Sequence, residues 1–155
     1  MMKKIVLLLL VSFLLILSLS CNILKTYEDT NGPDNYMLEN ITSEMIIKRD
    51  NSLETGSVSS KDTKNGITSI IFNVHKFDGV KQLHTFKSGS YAVLVSFKVT
   101  SGNTKLVITD GKKIVYEFLV NDAEQEYSFE CSNNNYLKIA GEACEFQLSV
   151  KIEKR

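Results

Sequence analysis

The chain has no tryptophan, one proline, two histidines and three cysteines in 155 residues, and its 18 basic and 18 acidic side chains cancel. Each shortage narrows the field. Tryptophan, tyrosine and arginine dominate tight binding surfaces, and here aromatic recognition falls mainly to tyrosine. A balanced charge argues against nucleic acid, whose binders usually carry a basic face. Two histidines leave little material for a metal centre, since zinc wants three or four protein ligands. There is no Gly-x-Ser-x-Gly elbow, phosphate-binding glycine loop, His-Glu-x-x-His or Cys-x-x-Cys, so the common local signatures of hydrolases, nucleotide binders, metalloproteases and thiol redox enzymes are missing. No spaced loop of oxygen ligands like that of an EF-hand occurs either. The longest apolar run, Ile5 to Leu19, is shorter than the roughly 20 residues a bilayer span needs.

That run has a function of its own. Lys3 and Lys4 precede it, and it ends in Leu17-Ser18-Leu19-Ser20-Cys21. A positive start, a short apolar stretch and a small residue describe a secretory signal peptide. With Cys21 directly behind Ser20, the segment resembles the lipobox of bacterial lipoproteins. Ser18 and Leu19 stand where that family prefers a leucine and a smaller residue. The resemblance implies cleavage before Cys21, a diacylglycerol on its thiol, and a membrane partner reached through that lipid at the outer surface of the cell membrane. Two acyl chains hold a protein stably where one does so only marginally. Removing residues 1–20 leaves 16 basic against 18 acidic side chains, a net of −2.

Residues 21–65 read as the acylated N-terminus followed by a mostly flexible linker. Tyr27 to Asn35 is rich in turn formers and holds the only proline; Asp50 to Gly66 is polar and rich in serine and threonine. Such composition buries too little apolar surface to offset ordering. Between them, Met37, Ile41 and Met45 are spaced four apart, which suits one face of a short helix; Ile46 and Ile47 suit an added edge strand equally well.

Residues 66–155 are all β in pattern. The residues Tyr91, Val93, Val95, Phe97 and Val99 alternate with smaller or polar ones, as a half-buried strand requires. Leu106 and Ile108, the set Ile114, Tyr116, Phe118 and Val120, the set Tyr127, Phe129 and Cys131, and the set from Cys144 to Ile152 repeat the pattern. Turn signals fall at Asp78-Gly79, Ser88-Gly89, Ser101-Gly102-Asn103, Asp110-Gly111, Asn121-Asp122-Ala123, Asn133-Asn134-Asn135 and Gly141-Glu142, so the spacing predicts about eight short antiparallel strands in a β-sandwich. The segment Ser101 to Tyr116 resembles small bacterial sandwich modules of the GOLD or pre-peptidase type, a jelly-roll-like class, which implies a binding or spacer role.

Candidate chemistry is sparse. Cys131 and Cys144 share the inward parity: a disulfide between them would close a loop of about 14 residues and contribute about 3 kcal/mol, while two buried free thiols acting as small hydrophobes fit as well. A hairpin at Asp78-Gly79 would set His75 diagonally across from His84 on one face. Two ligands there are too few for zinc, so no metal or cofactor is expected. Tyr91, Tyr116 and Tyr127 point inward, leaving Tyr136 as the available tyrosine and no platform for sugar stacking. Leu94, Val115 and Leu119 point outward, where they mark a partner-facing patch, lie beneath residues 36–47 or are scattered single exposures, the last two being favoured.

The sequence therefore predicts a lipid-anchored envelope protein, not an enzyme, whose sandwich binds a protein or small molecule or assembles with a neighbouring membrane complex. A small envelope hydrolase or metal-dependent enzyme using His75 or His84 is the alternative.

Overall fold

The computed structural model describes residues 41–121 and 123–155. Cys21, the signal segment and residues 36–40 lie outside them. The chain runs through a short helix, α1 (Ser43–Lys48), and seven strands: β1 (Asn51–Thr55), β2 (Val58–Lys64), β3 (Ile67–Phe86), β4 (Gly89–Thr109), β5 (Ile114–Phe118), β6 (Gln125–Cys131) and β7 (Asn135–Lys154). All pairings are antiparallel. The β-sandwich class predicted from the sequence is what the chain adopts.

Its construction differs from a stack of short hairpins. The strands β3, β4 and β7 have 20, 21 and 20 residues, several times the usual strand length. The C-terminal strand β7 lies between β3 and β4 and pairs with both along its length. Midway, all three break register, between Val74 and Gly79 in β3 and between Val99 and Asn103 in β4. There the sheet creases and folds back on itself. The first layer holds β2, the N-terminal half of β3, the C-terminal half of β7, the N-terminal half of β4, and β6. The second holds β1, the remaining halves of β3, β7 and β4, and β5.

Three expected hairpin turns form this crease. Gly79 and Gly102 have φ of +112° and +75°, and Ala143 has +43°. Gly79 and Thr104 both pair with Gly141. The Asp78 carboxylate is buried and accepts a hydrogen bond from the Ala143 amide at 2.6 Å. Residues that favour positive φ serve a bulged bend as well as a tight turn. By contrast, Asp110-Gly111 is the turn it was predicted to be: Asp110 Oδ1 accepts from the amides of Lys112 and Lys113, both at 2.8 Å. Those bonds hold its carboxyl below the usual range.

The linker boundary also needs correction. Within residues 21–65, the described part forms α1, β1 and β2, with the two strands hydrogen-bonded to β3. The polar β2 is exposed along its whole length. Its order comes from seven paired positions on β3 rather than from burial. In the described part of residues 36–47 the helix alternative is the one found, as Ser43–Lys48, and Thr42 caps it by accepting from the Met45 amide at 3.3 Å.

The two inner faces share one core. Ile70, Phe72, Val93, Val95, Leu148 and Val150 of the first layer join Phe86, Leu106, Ile108, Leu137 and Ile139 of the second. Aromatic contacts cross the gap, with Phe86 against Tyr91 and Phe129 and with Tyr116 stacked on Tyr127 at 3.8 Å. The inward alternation of β4 holds from Tyr91 to Phe97. Val120, expected inside, is exposed, because β5 ends at Phe118.

Candidate functional surface

The outer faces of the two layers differ. Helix α1 lies on the second. Its Ile46 is fully buried with Val80, Val107 and Ala140, and Ile41, Met45 and Ile114 pack around them. Lys138 secures the arrangement, donating through Nζ to the carbonyls of Ile47 at 3.1 Å and Arg49 at 2.8 Å. A cation at a helix C-terminus answers carbonyls that lack intrahelical partners. Burial holds the Lys138 ammonium below its usual pKa, partly opposed by Asp50. The described part of residues 36–47 does not cover Leu94, Val115 and Leu119: the helix sits on a different set, Val115 and Leu119 are exposed at the β5 edge, and Leu94 is half-buried.

The first layer has no such cover among the described residues. Pairing aligns Asp62, Ser69, Lys151, Leu94 and Glu126 in one row across five strands, and Lys64, Ile67, Glu153, Ala92 and Ser128 in the next. Directly paired side chains share a face. Over the second row and its neighbours lies a shallow cavity of about 200 Å³ with Ile67, Ala92 and Leu94 as its aliphatic wall and Glu126, Lys151, Glu153 and Arg155 as its charged rim. A second hollow of about 320 Å³ continues from Ile67 and Lys151 to Asp62 and Lys64. Arg155 pairs with Glu126 at 3.3 Å. Ile67, Ile71 and, at the β2 end, Val58 are exposed on this side, Val58 at 66%. The surface is aliphatic and carries both charge signs.

The predicted site residues are scattered. Since β3 bends at Asp78-Gly79 and continues rather than returning on itself as a hairpin, His75 and His84 lie nine residues apart along one strand, on either side of the crease, and not diagonally opposite each other. His75 is exposed beside Glu145, its Nδ1 3.4 Å from Oε1. His84 lies against Phe86, ring centroids 4.8 Å apart. Its Nδ1 is buried with no hydrogen-bond partner among the described residues. Burial, with Lys61 nearby, pushes its pKa down to about 4, so the ring is neutral at neutral pH.

Cys131 and Cys144 are free thiols, so the disulfide alternative is not realised. Cys131 pairs with Gly89 at the turn end and contacts the Lys87 carbonyl at 3.0 Å. Cys144 sits at the crease against the Phe77 carbonyl. Burial pushes the Cys144 thiol up to about 11. Shared parity placed both inside, but at opposite ends of the sandwich. No group of three His, Cys, Asp or Glu able to hold a metal occurs among the described residues.

No family model matches the chain, and no curated protein matches it. Solved structures similar to it include the C-terminal CBM6 of LamC, a marine laminarinase from Zobellia galactanivorans. That one is 13% identical, with 67% of this chain and 100% of that chain covered and a TM-score of 0.36. A cupin domain from Bordetella pertussis is 10% identical over 66% of this chain and 97% of that one, with a TM-score of 0.36. An RmlC-like cupin family protein from Methanocaldococcus jannaschii is 16% identical over 76% and 92%, with a TM-score of 0.35.

Sequence reasoning missed the uncovered face as a unit. Leu94 was visible as an outward apolar residue, but Ile67 and Ile71 looked like strand interior. Only the pairing of β2, β3, β7, β4 and β6 places them together with Lys151 and Glu126.

Proposed function

We propose that this chain is a lipid-anchored bacterial envelope protein, acylated at Cys21, that presents its sandwich for binding or assembly through the outer face of the first layer. The observation that carries the reading is the inequality of the two faces. The chain spends its own helix on Val80, Val107 and Ala140 and leaves Ile67, Ile71 and Leu94 without one. An aliphatic floor set among Lys64, Lys151, Arg155, Asp62, Glu126 and Glu153 suits a protein surface, where apolar contact supplies affinity and charge of both signs sets register. The anchor rests on Leu17-Ser18-Leu19-Ser20-Cys21.

Two experiments test the two parts. Cys21→Ala abolishes labelling of the protein by a radioactive fatty acid; unchanged labelling sinks the anchor. A photo-crosslinking residue at position 94 captures a defined partner in intact cells, and one at position 119 does not; equal capture from both sinks the face. The hydrolase or metal-enzyme reading has less support, since His75 and His84 do not converge.

A further inference from the structure

A second hollow lies at the turn end of the sandwich and shares no lining residue with the cavity under Leu94. It has a volume of about 340 Å³, and its walls include Thr68, His84, Thr85, Lys87, Tyr91 and Lys154. It sits where the β2–β3 turn, the β3–β4 turn and the end of β7 meet.

Its charge is one-sided. No acidic side chain lines it. Ion pairs elsewhere neutralise Lys48, Lys81, Lys105 and Arg155, but among the described residues none takes Lys61, Lys87 or Lys154. Lys61 approaches the same corner, donating to the Leu83 carbonyl at 2.9 Å beside His84. Glu153, next to Lys154 in sequence, faces the other way, in the row with Ile67 and Ala92.

Lys154 is also positioned. Its Nζ stands 5.8 Å from the centre of the Tyr91 ring, and its stem crosses Gly89, where a Cβ would come within 2.8 Å of Cε. The Thr85 hydroxyl accepts from Gln82 Nε2 at 3.0 Å and keeps its proton to donate, the Thr68 hydroxyl shares a hydrogen bond with Thr63 Oγ1 at 3.0 Å and can donate where Thr63 donates to it, and His84 adds a wall whose Nδ1 has no partner among the described residues.

We propose that this hollow binds a phosphate group, with Lys87 and Lys154 as its cationic contacts and Thr68 and Thr85 as hydroxyl donors. A phosphate offers several acceptor oxygens to ammonium and hydroxyl groups converging from different strands. A soluble phosphate ester and a phospholipid headgroup present the same chemistry.

The test uses the acylated full chain in dodecyl maltoside micelles, which carry no phosphate, at low ionic strength, with radiolabelled inorganic phosphate in equilibrium dialysis. Saturable binding near one per chain is expected. Lys87→Gln with Lys154→Gln weakens it about tenfold, whereas Lys112→Gln with Lys113→Gln, the same charge change in the β4–β5 turn, weakens it less than about twofold. Competition by phosphatidylglycerol added to the micelle assigns the site to a headgroup; no competition assigns it to a soluble phosphate. Absent or unsaturable binding, or equal loss in both double variants, overturns the site.

Discussion

The two layers share three strands yet treat their outer surfaces in opposite ways. In the first, β3 alternates exposed and buried residues from Ile67 to Val74. Past the crease the same strand buries Phe77, Asp78, Gly79 and Val80 in succession, β4 buries Leu106 to Thr109, and β7 buries Leu137 to Gly141. A strand covered on one face alternates, and a strand covered on both reads as a continuous buried run. The difference lies in α1, which adds a third stratum to one half of the molecule only.

This contrast can be tested most severely by placing a charge on each face. Val107→Asp puts an unpaired carboxylate beneath Ile46 and costs about 3–5 kcal/mol, whereas Ile71→Asp, at an exposed position on the outer face of the first layer, changes stability by less than about 0.5 kcal/mol, as exposed substitutions generally do. Denaturant midpoints for the two variants measure this; equal losses would mean that the first layer is covered too. Next in size, Lys138→Ala leaves the carbonyls of Ile47 and Arg49 without their donor and costs about 1–3 kcal/mol. Hydrogen exchange then speeds up in Val107 and Ala140 ahead of Val95 and Val150.

The third concerns acid. His84 has its pKa lowered to about 4, so below about 6.5 the unfolded chain takes up a proton that the folded one refuses. Stability is intact above that pH and falls as pH drops toward 4, by about 1–2 kcal/mol once partial exposure is allowed for. His84→Leu flattens the melting temperature across that window; an unchanged slope would refute the assignment. The smallest effect sits at the crease, where Ala143→Gly relieves a positive φ and stabilises by about 0.5–1 kcal/mol in the same denaturation assay.

These variants also mark how far the residues alone can be read. The face of β4 from Tyr91 to Phe97 was legible because one side chain in two is apolar. The crease was not. Asp78-Gly79, Gly102 and Gly141 carry the chemistry of positive φ and local hydrogen bonding, and that chemistry is common to a hairpin and a bulge. What separates them is the partner strand, and the β7 residues that meet the bend, Gly141 to Cys144, lie more than sixty residues beyond Asp78. The outward burial of Val80, Val107 and Ala140 was hidden for a similar reason, since it depends on a six-residue helix far away in sequence. The histidines were misplaced by the same error: once Asp78-Gly79 is a bend, His75 and His84 part company.

The position of β7 carries a consequence for how the molecule is made. Among the described strands it comes last in chain order, yet it is the neighbour of both β3 and β4. Until residues 135–154 exist, neither of those long strands has its main partner, and neither layer has a centre. Completion waits on contacts between distant parts of the chain, which slow folding.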